Sequence, residues 1–454
     1  MITRIVPWLI CVLFSFPAIA EEVSLARVVE LAIEHAPAMQ SAEAGRDAAQ
    51  EDLTIGRAAL LPRIDVSGNY QWRDQRVNYD TNQNIFQPDY KSRDSSVSLR
   101  MVQPLFDLER WAGYRQGEIS GETGEMRVRL ERQRLMLETA QVYLEAVTAA
   151  SALKASKAKE QAAEQLAAQA QALFESGVSA VNDRLDADAR SDLAIAERLA
   201  AENTLDQALS TLASLTGSDA LELSPPAIVS PIATPLPEPG QWEDLAAESA
   251  LTTRLARLQF RSAEEEKMKV VGSNLPKVEA FASIQGTRAT SGQLGIGSKS
   301  RDRAVGLQFS MPVFSGGGDR AQLKKSQKEL LQAQFALEDD IRLARLTARQ
   351  ALLGYSAALL QLHAMQQAVV SAREAAGAAR MGHEVGLRTI TELLDADERR
   401  FAAEKSLAEA RAGLVFAELQ IYASIGALDS GALPEVFGSG FHARGHNGPG
   451  LSGQ

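Results

Sequence analysis

The residues able to do chemistry in this chain gather around two glycines, Gly177 and Gly386, in stretches that mirror one another. Gly177-Val178-Ser179-Ala180-Val181-Asn182-Asp183-Arg184-Leu185-Asp186-Ala187-Asp188 is matched by Gly386-Leu387-Arg388-Thr389-Ile390-Thr391-Glu392-Leu393-Leu394-Asp395-Ala396-Asp397. Arg388, Glu392, Asp395 and Arg399 fall at i, i+4, i+7 and i+11, so a helix carries them on one charged stripe. Leu387, Ile390 and Leu394 form a separate apolar stripe that is expected to pack. The chemistry of such a face is ion pairing and attraction of cations, although a lone stripe of this kind also describes a solvated helix. Bond-making chemistry has no support here. His383-Glu384 lacks the second histidine of a zinc-protease helix, and Gly316-Gly317-Gly318 lacks the lysine of a phosphate loop. No enzymatic activity, metal or cofactor is expected.

Long helices must position these groups. From Glu125 to Ser176, 52 residues contain neither glycine nor proline, and a further 39 follow from Val178 to Thr216. The first run alone would extend about 80 Å, too long for an ordinary globular helix and suited to a coiled coil or helical barrel. A single glycine between two such runs can adopt the left-handed conformation that turns the chain, so Gly177 and Gly386 read as tips of helical hairpins. Gly113, Gly117 and Gly121 recur every fourth residue ahead of the first long run and suggest close backbone approach there.

Between the helical runs the period changes to two. Ile64, Val66, Gly68, Tyr70 and Trp72 alternate with polar residues, as do Val97, Leu99 and Met101. The second half repeats this with Val278, Ala280, Ala282 and Ile284, Phe281 being an exception on the polar side, and with Val305, Leu307, Phe309 and Met311. About ten alternating residues match a strand crossing a bilayer in a barrel, apolar toward lipid and polar toward the lumen. The expected division is residues 1–20 as signal peptide and 21–217 as a first repeat, with strands near 62–74 and 95–105 and a tip near 177. A Pro-rich linker, 218–240, then leads to a second repeat, 241–428, with strands near 276–287 and 302–313 and a tip near 386; 429–454 is a Gly-rich tail expected to be disordered.

Bulk properties agree with export. Arg4, the apolar run Ile5 to Phe16 and Ala18-Ile19-Ala20 read as a secretory signal, and the sole cysteine, Cys11, lies inside it. Neither disulfides nor a thiolate metal site is then expected in the mature chain. A formal charge of −11 with no basic cluster argues against nucleic acid. Four amphipathic strands leave two sheet edges, which hydrocarbon does not tolerate, so several copies must pool their strands into one barrel. A soluble periplasmic coiled-coil adaptor is the competing class, but it has no use for strands with a lipid-facing side.

The duplicated order, the Leu25, Ala32, Pro37 opening, Val102-Gln103-Pro104-Leu105-Phe106-Asp107 with Met311-Pro312-Val313-Phe314-Ser315-Gly316-Gly317, and the two tips resemble the TolC family of outer-membrane efflux channels. The resemblance runs from about Ser24 to Leu428. It implies a mixed membrane α/β fold: a homotrimer whose 12-stranded barrel, four strands from each chain, continues into a long periplasmic α-helical coiled-coil barrel. It further implies an exit duct in the outer membrane, contacting its lipid and reaching into the periplasm, where an adaptor and an inner-membrane ABC or RND pump dock. The unlipidated start and Gln103-Pro104-Leu105-Phe106-Asp107-Leu108 look more like the type I secretion branch; the branch serving drug or metal pumps is the alternative.

By the same resemblance Asn182 and Asp183 are partners of Arg388 in links that close the periplasmic end. Glu392 and Asp395 match acidic ring positions, and Gly177 and Gly386 mark the turns that meet the adaptor. Three chains would place about six carboxylates in one constriction, a field attractive to cations. Glu392 stands where aspartate is usual and His383 where a tyrosine can join the closing network. That His either weakens the latch or makes it sensitive to pH near neutrality, or it is a surface imidazole near a turn.

Overall fold

The computed structural model describes residues 24–75, 90–218, 238–290 and 296–428. The expected signal peptide, most of the linker and the tail lie outside them. Element order is α1 Leu25–His35, α2 Pro37–Ala58, β1 Arg63–Gln75, β2 Tyr90–Phe106, α3 Leu108–Glu175 and α4 Val181–Thr216. The same sequence of elements returns as α5 Pro239–Ser249, α6 Leu251–Ser273, β3 Lys277–Ala289, β4 Ser298–Ser310, α7 Gly318–Glu384 and α8 Ile390–Ser424. Pro239 begins α5 inside the stretch read as linker, because a first-turn proline loses no helical hydrogen bond.

Helices α3 and α7 hold 68 and 67 residues, each about 100 Å long. The second helix of each hairpin is about half that length and ends against the short helices of its own half. Gly217, at φ +68°, closes α4 beside the His35 ring; Gly426, also at φ +68°, closes α8 against the Ser249 carbonyl and the Leu251 side chain. A side chain at either position would strain the backbone and strike that neighbour.

Helix α3 begins well before Glu125 and runs through the glycines. Of the expected trio only Gly117 has no room for a Cβ of its own, although the Gly113 carbonyl also lies close to Gly56 of α2. A Cβ on Gly117 would lie 2.5 Å from the Asp52 carbonyl oxygen, whereas one on Gly113 or Gly121 would meet open space. The working partner is Gly124, seven residues on, whose Cβ would stand 2.9 Å from that of Ala49. Seven residues is two helical turns, so both glycines meet the same face of α2.

The strands form one antiparallel sheet in the order β1-β2-β3-β4. Register aligns Ile64, Met101, Ala282 and Val305 on one face, followed by Val66, Leu99 and Ile284. The opposite face carries Ser67 hydrogen-bonded to Ser98 at 2.7 Å and Gln71 donating to Asp94. Phe281, out of pattern in the sequence, lies on that polar face over Gly306, with the Arg100 guanidinium 5.6 Å from its ring centroid. Pro104 is accommodated at a bulge between β2 and β3. The matching Met311-Pro312-Val313-Phe314 lies beyond the end of β4, an edge strand with no neighbour to continue the ladder. Both β1 and β4 expose an unpaired edge, so the sheet is one share of a barrel closed by further copies.

Among the described residues, two apolar clusters flank α8. Leu25, Val28 and Val29 of α1 pack with Met136, Tyr143 and Leu144 of α3 and with Val415 and Leu419 of α8. On its other flank α8 applies Leu414, Ala417 and Ile421 to Tyr355 and Leu362 of α7. Helix α8 is therefore covered on two sides within a single protomer.

Candidate functional site: the paired helix tips

Both tips are built alike. Gly177 and Gly386 sit at φ +77° and +75°, where only glycine is free of strain. Past each glycine, two successive amides return to one carbonyl: Val178 and Ser179 to Leu173, Leu387 and Arg388 to Gly382. The repetition extends to hydrogen-bond detail, so the two hairpins present the same geometry.

The predicted site residues take separate places in it. Asn182 and Asp183 are exposed on the first turn of α4, and Asp183 accepts a hydrogen bond from the Ser179 hydroxyl at 3.1 Å. Arg388 is exposed; its side-chain stem lies over Gly382, and its carbonyl oxygen is 3.2 Å from His383 Nδ1. Within one protomer the structure does not bring Arg388 to Asp183. Glu392 serves α8 itself, accepting from the Thr389 amide while the Thr389 hydroxyl accepts from the Glu392 amide, a reciprocal cap. Leu387 departs from its expected packing: Ile390 and Leu394 are buried against Ala170 and Ala187, but Leu387 stands 83% exposed at the very tip. It precedes the helix, so the helical spacing that placed it on the stripe does not apply.

The link that joins the two hairpins runs through a residue the sequence pattern did not single out. Arg190 of α4 donates to Asp395 of α8 at 2.8 Å, and lies 3.5 Å from Asp186 and 3.8 Å from Glu398. Burial works against its charge, yet the hydrogen bond to Asp395 and the carboxylates of Asp186 and Glu398 hold its pKa above the ordinary arginine value. Thr391 donates to Asp186 beside it, and Lys159 of α3 bridges Glu197 and Glu398 further along the seam. A cavity of about 290 Å³, lined by Lys159, Arg190, Glu398 and Phe401 among others, opens between the hairpins here. The available signal was positional: Arg190 falls four residues after Asp186 and occupies the same place in its copy as Arg399 in the other.

Asp397, the last residue of the second Leu-Asp-Ala-Asp tetrad, is 4% exposed and paired with Arg400 at 3.1 Å and Arg380 at 3.4 Å. What this arrangement can do is electrostatic. Ion pairs at partly exposed sites contribute about 1 kcal/mol or less each, so a seam held by them can part without unfolding its helices.

The comparisons with known proteins agree with this architecture. The model of the family described as outer membrane efflux protein matches residues 28–218 and 244–427. Outer membrane protein TolC of Escherichia coli K12 is 28% identical over 426 residues, covering 92% of this chain and 85% of its own. The proteases secretion protein PrtF of Dickeya chrysanthemi is 28% identical over 420 residues, covering 90% and 89%. Among solved structures, the Campylobacter jejuni CmeC outer membrane channel superposes with a TM-score of 0.77 at 16% identity, over 91% of this chain and 89% of that one. Two matched segments, one in each half and together spanning most of the described residues, place the chain in the outer membrane efflux protein family.

Proposed function

We propose that this channel is the exit duct of a tripartite export system, a trimer fed by an inner-membrane pump through a periplasmic adaptor, and that its helix tips form the gate. Three copies of the four-stranded sheet make a 12-stranded barrel and leave no edge unpaired in the lipid. The type I secretion reading is supported by PrtF and by the alkaline protease secretion protein AprF of Pseudomonas aeruginosa, each 28% identical to this chain. Val178, Val385 and Leu387, all strongly exposed at the two tips, offer the adaptor an apolar surface.

The observation that carries the gate is the Arg190 link between hairpins. Opening requires the hairpins to separate, so Arg190 of α4 must part from Asp395 and Glu398 of α8 while keeping Asp186 on its own helix. Arg388 and Asp183, both exposed and unpaired with each other in one protomer, are the complementary link across neighbouring copies. Glu392 is exposed for the acidic ring, while Asp395 is part-neutralised by Arg190 when the seam is shut. Separation then unmasks Asp395, so the open mouth is more attractive to cations than the closed one.

The test is single-channel conductance of the purified trimer in a planar bilayer. Arg190→Ala is expected to raise conductance severalfold and to shift the reversal potential toward cations. Asp183→Ala should raise conductance without the selectivity shift. Unchanged conductance in both variants would remove the tips as the gate.

A further inference from the structure

The lipid-facing side of the sheet is not apolar along its whole length. On β2 the outward positions pass from Met101, Leu99 and Val97 through Ser95 to Arg93 and Lys91. On β3 they pass from Ile284 through Gly286 to Arg288; on β4, from Leu307 and Val305 to Arg303, Arg301 and Lys299. The register sets Arg288 directly beside Lys299, and Gly286 beside Arg301. Six cations thus share one face at one end of three adjacent strands, and all six are exposed. The only acid on that face among the described residues is Asp74, 3.6 Å from Lys91. Among the described residues none of the other five has a carboxylate partner. The acids nearby, Asp94 and Asp302, alternate onto the opposite, lumenal face.

This end of the sheet carries the hairpin loops, whereas the other end joins the helices, so the cations lie at the outer rim of the barrel. Tyr70 and Trp72 of β1, both exposed, stand at the same end of the same face, the position of an interfacial aromatic girdle. We propose that Lys91, Arg93, Arg288, Lys299, Arg301 and Arg303 form a binding site for the phosphate-bearing glycolipid headgroup of the outer leaflet. Unpaired cations facing hydrocarbon are costly, and anionic headgroups at the rim relieve that cost. Guanidinium groups match phosphate oxygens through paired hydrogen bonds. The patch extends about 10 Å across the strands and, from the level of Arg303 to Lys91, about 27 Å along them, so a headgroup bearing more than one phosphate engages several of its cations while a single phosphodiester reaches one corner. Because the side chains point away from the lumen, the site serves placement in the membrane and not passage of cargo.

Binding of bis-phosphorylated lipid A, dephosphorylated lipid A and phosphatidylglycerol to the detergent-purified trimer can be compared by native mass spectrometry. Phosphorylated lipid A should bind at least about tenfold tighter than either other lipid, and the preference should shrink with salt. The Arg288→Gln, Lys299→Gln, Arg301→Gln, Arg303→Gln variant should lose the preference, while the lumenal pair Arg73→Gln, Arg100→Gln keeps it. Equal binding of the phosphorylated and dephosphorylated lipids would overturn the proposal, as would a preference untouched in the rim variant. Equal or tighter binding of phosphatidylglycerol would overturn the commitment to a glycolipid. Should the rim variant fail to assemble, the lipid preference and salt response of the unaltered trimer decide alone. Conductance of the rim variant is expected to match the unaltered channel, which separates this site from the export reading.

Discussion

The two hairpin tips share a design but not an environment. Ile390 and Leu394 of the second copy are buried at 8% exposure each, while their counterparts Val181 and Leu185 are 45% and 52% exposed in the protomer. Arg190 reaches across to Asp395, whereas Arg399, at the equivalent place in the other copy, is exposed and meets no carboxylate among the described residues. One duplicated pattern thus yields one face filled within the chain and one face left for a neighbour. In a ring of alternating hairpins every first hairpin is followed by a second and every second by a first. Such a ring predicts, for the link made inside the chain by Arg190 and Asp395, a sister between chains from Arg399 to Asp186 of the next copy.

The sharpest way to break that comparison is all-or-none. The only cysteine, Cys11, lies in the expected signal, so engineered thiols report alone. Arg399→Cys with Asp186→Cys should give chains joined to one another by a short bismaleimide on a denaturing gel. Arg190→Cys with Asp395→Cys should give only internally bridged single chains. Internal bridging in both pairs would end the idea of a sister link.

Next in size is the contrast between the two tetrad aspartates. Asp397 is buried between Arg380 and Arg400, while Asp188 makes only the exposed local pair with Arg184 at 3.2 Å. Asp397→Ala removes a buried carboxylate that accepts from Arg400 and Arg380, both in contact with solvent, and should cost about 2 kcal/mol, read as a drop in the thermal midpoint of the trimer. Asp188→Ala should cost under about 1 kcal/mol. Equal losses would mean that the copies are energetically alike despite their different burial.

Glu418 sharpens the same contrast through pH. It is 3% exposed on α8, between the residues facing α3 and those facing α7, and its counterpart in the first half is Leu209. Burial pushes its pKa up to about 7. The native state holds that proton more tightly than the unfolded chain, whose carboxyl titrates at about 4.3. The stabilisation is therefore complete below about pH 4 and is lost as pH rises through about 7, a difference on the order of 3 kcal/mol. Glu418→Gln should flatten the midpoint against pH from about 4 to about 7, the interval between the unfolded and native titrations. A profile that keeps its slope would assign the dependence elsewhere.

Much of this was legible in the sequence because it rests on period. Alternation in Ile64 to Trp72 and in Val305 to Phe309 gave strands, and single glycines in long helical runs gave turns, since both follow from backbone geometry alone. What period could not give is which of two equivalent residues is used. Gly113 and Gly117 look alike in sequence, and only the angle at which α2 crosses α3 selects Gly117 and Gly124. Leu387 fits the apolar stripe by number, yet the turn at Gly386 separates it from the helix that carries the stripe. Arg190 was hidden for the same reason: its partner lies 205 residues away, on a helix whose rotation no local pattern encodes.

The smallest expected effect concerns the caps. Helix α8 begins with Thr389 and Glu392 exchanging side-chain and backbone hydrogen bonds, whereas α4 begins at Ala180, which has no side-chain oxygen to offer. A reciprocal cap contributes about 1 kcal/mol, confined to the first turn, so global unfolding should barely register it. Amide hydrogen exchange at the tips is the suitable measurement. The amides just inside the start of α4 should exchange several times faster than those of α8. Thr389→Ala should bring α8 to the rate of α4, and Ala180→Ser should slow α4 by a similar factor. If α4 already exchanges as slowly as α8 in the trimer, the neighbouring copy, pressing on the exposed Val181 and Leu185, supplies the order that Ala180 cannot. That outcome would move the asymmetry from the caps to the interface, where the difference between the copies then wholly resides.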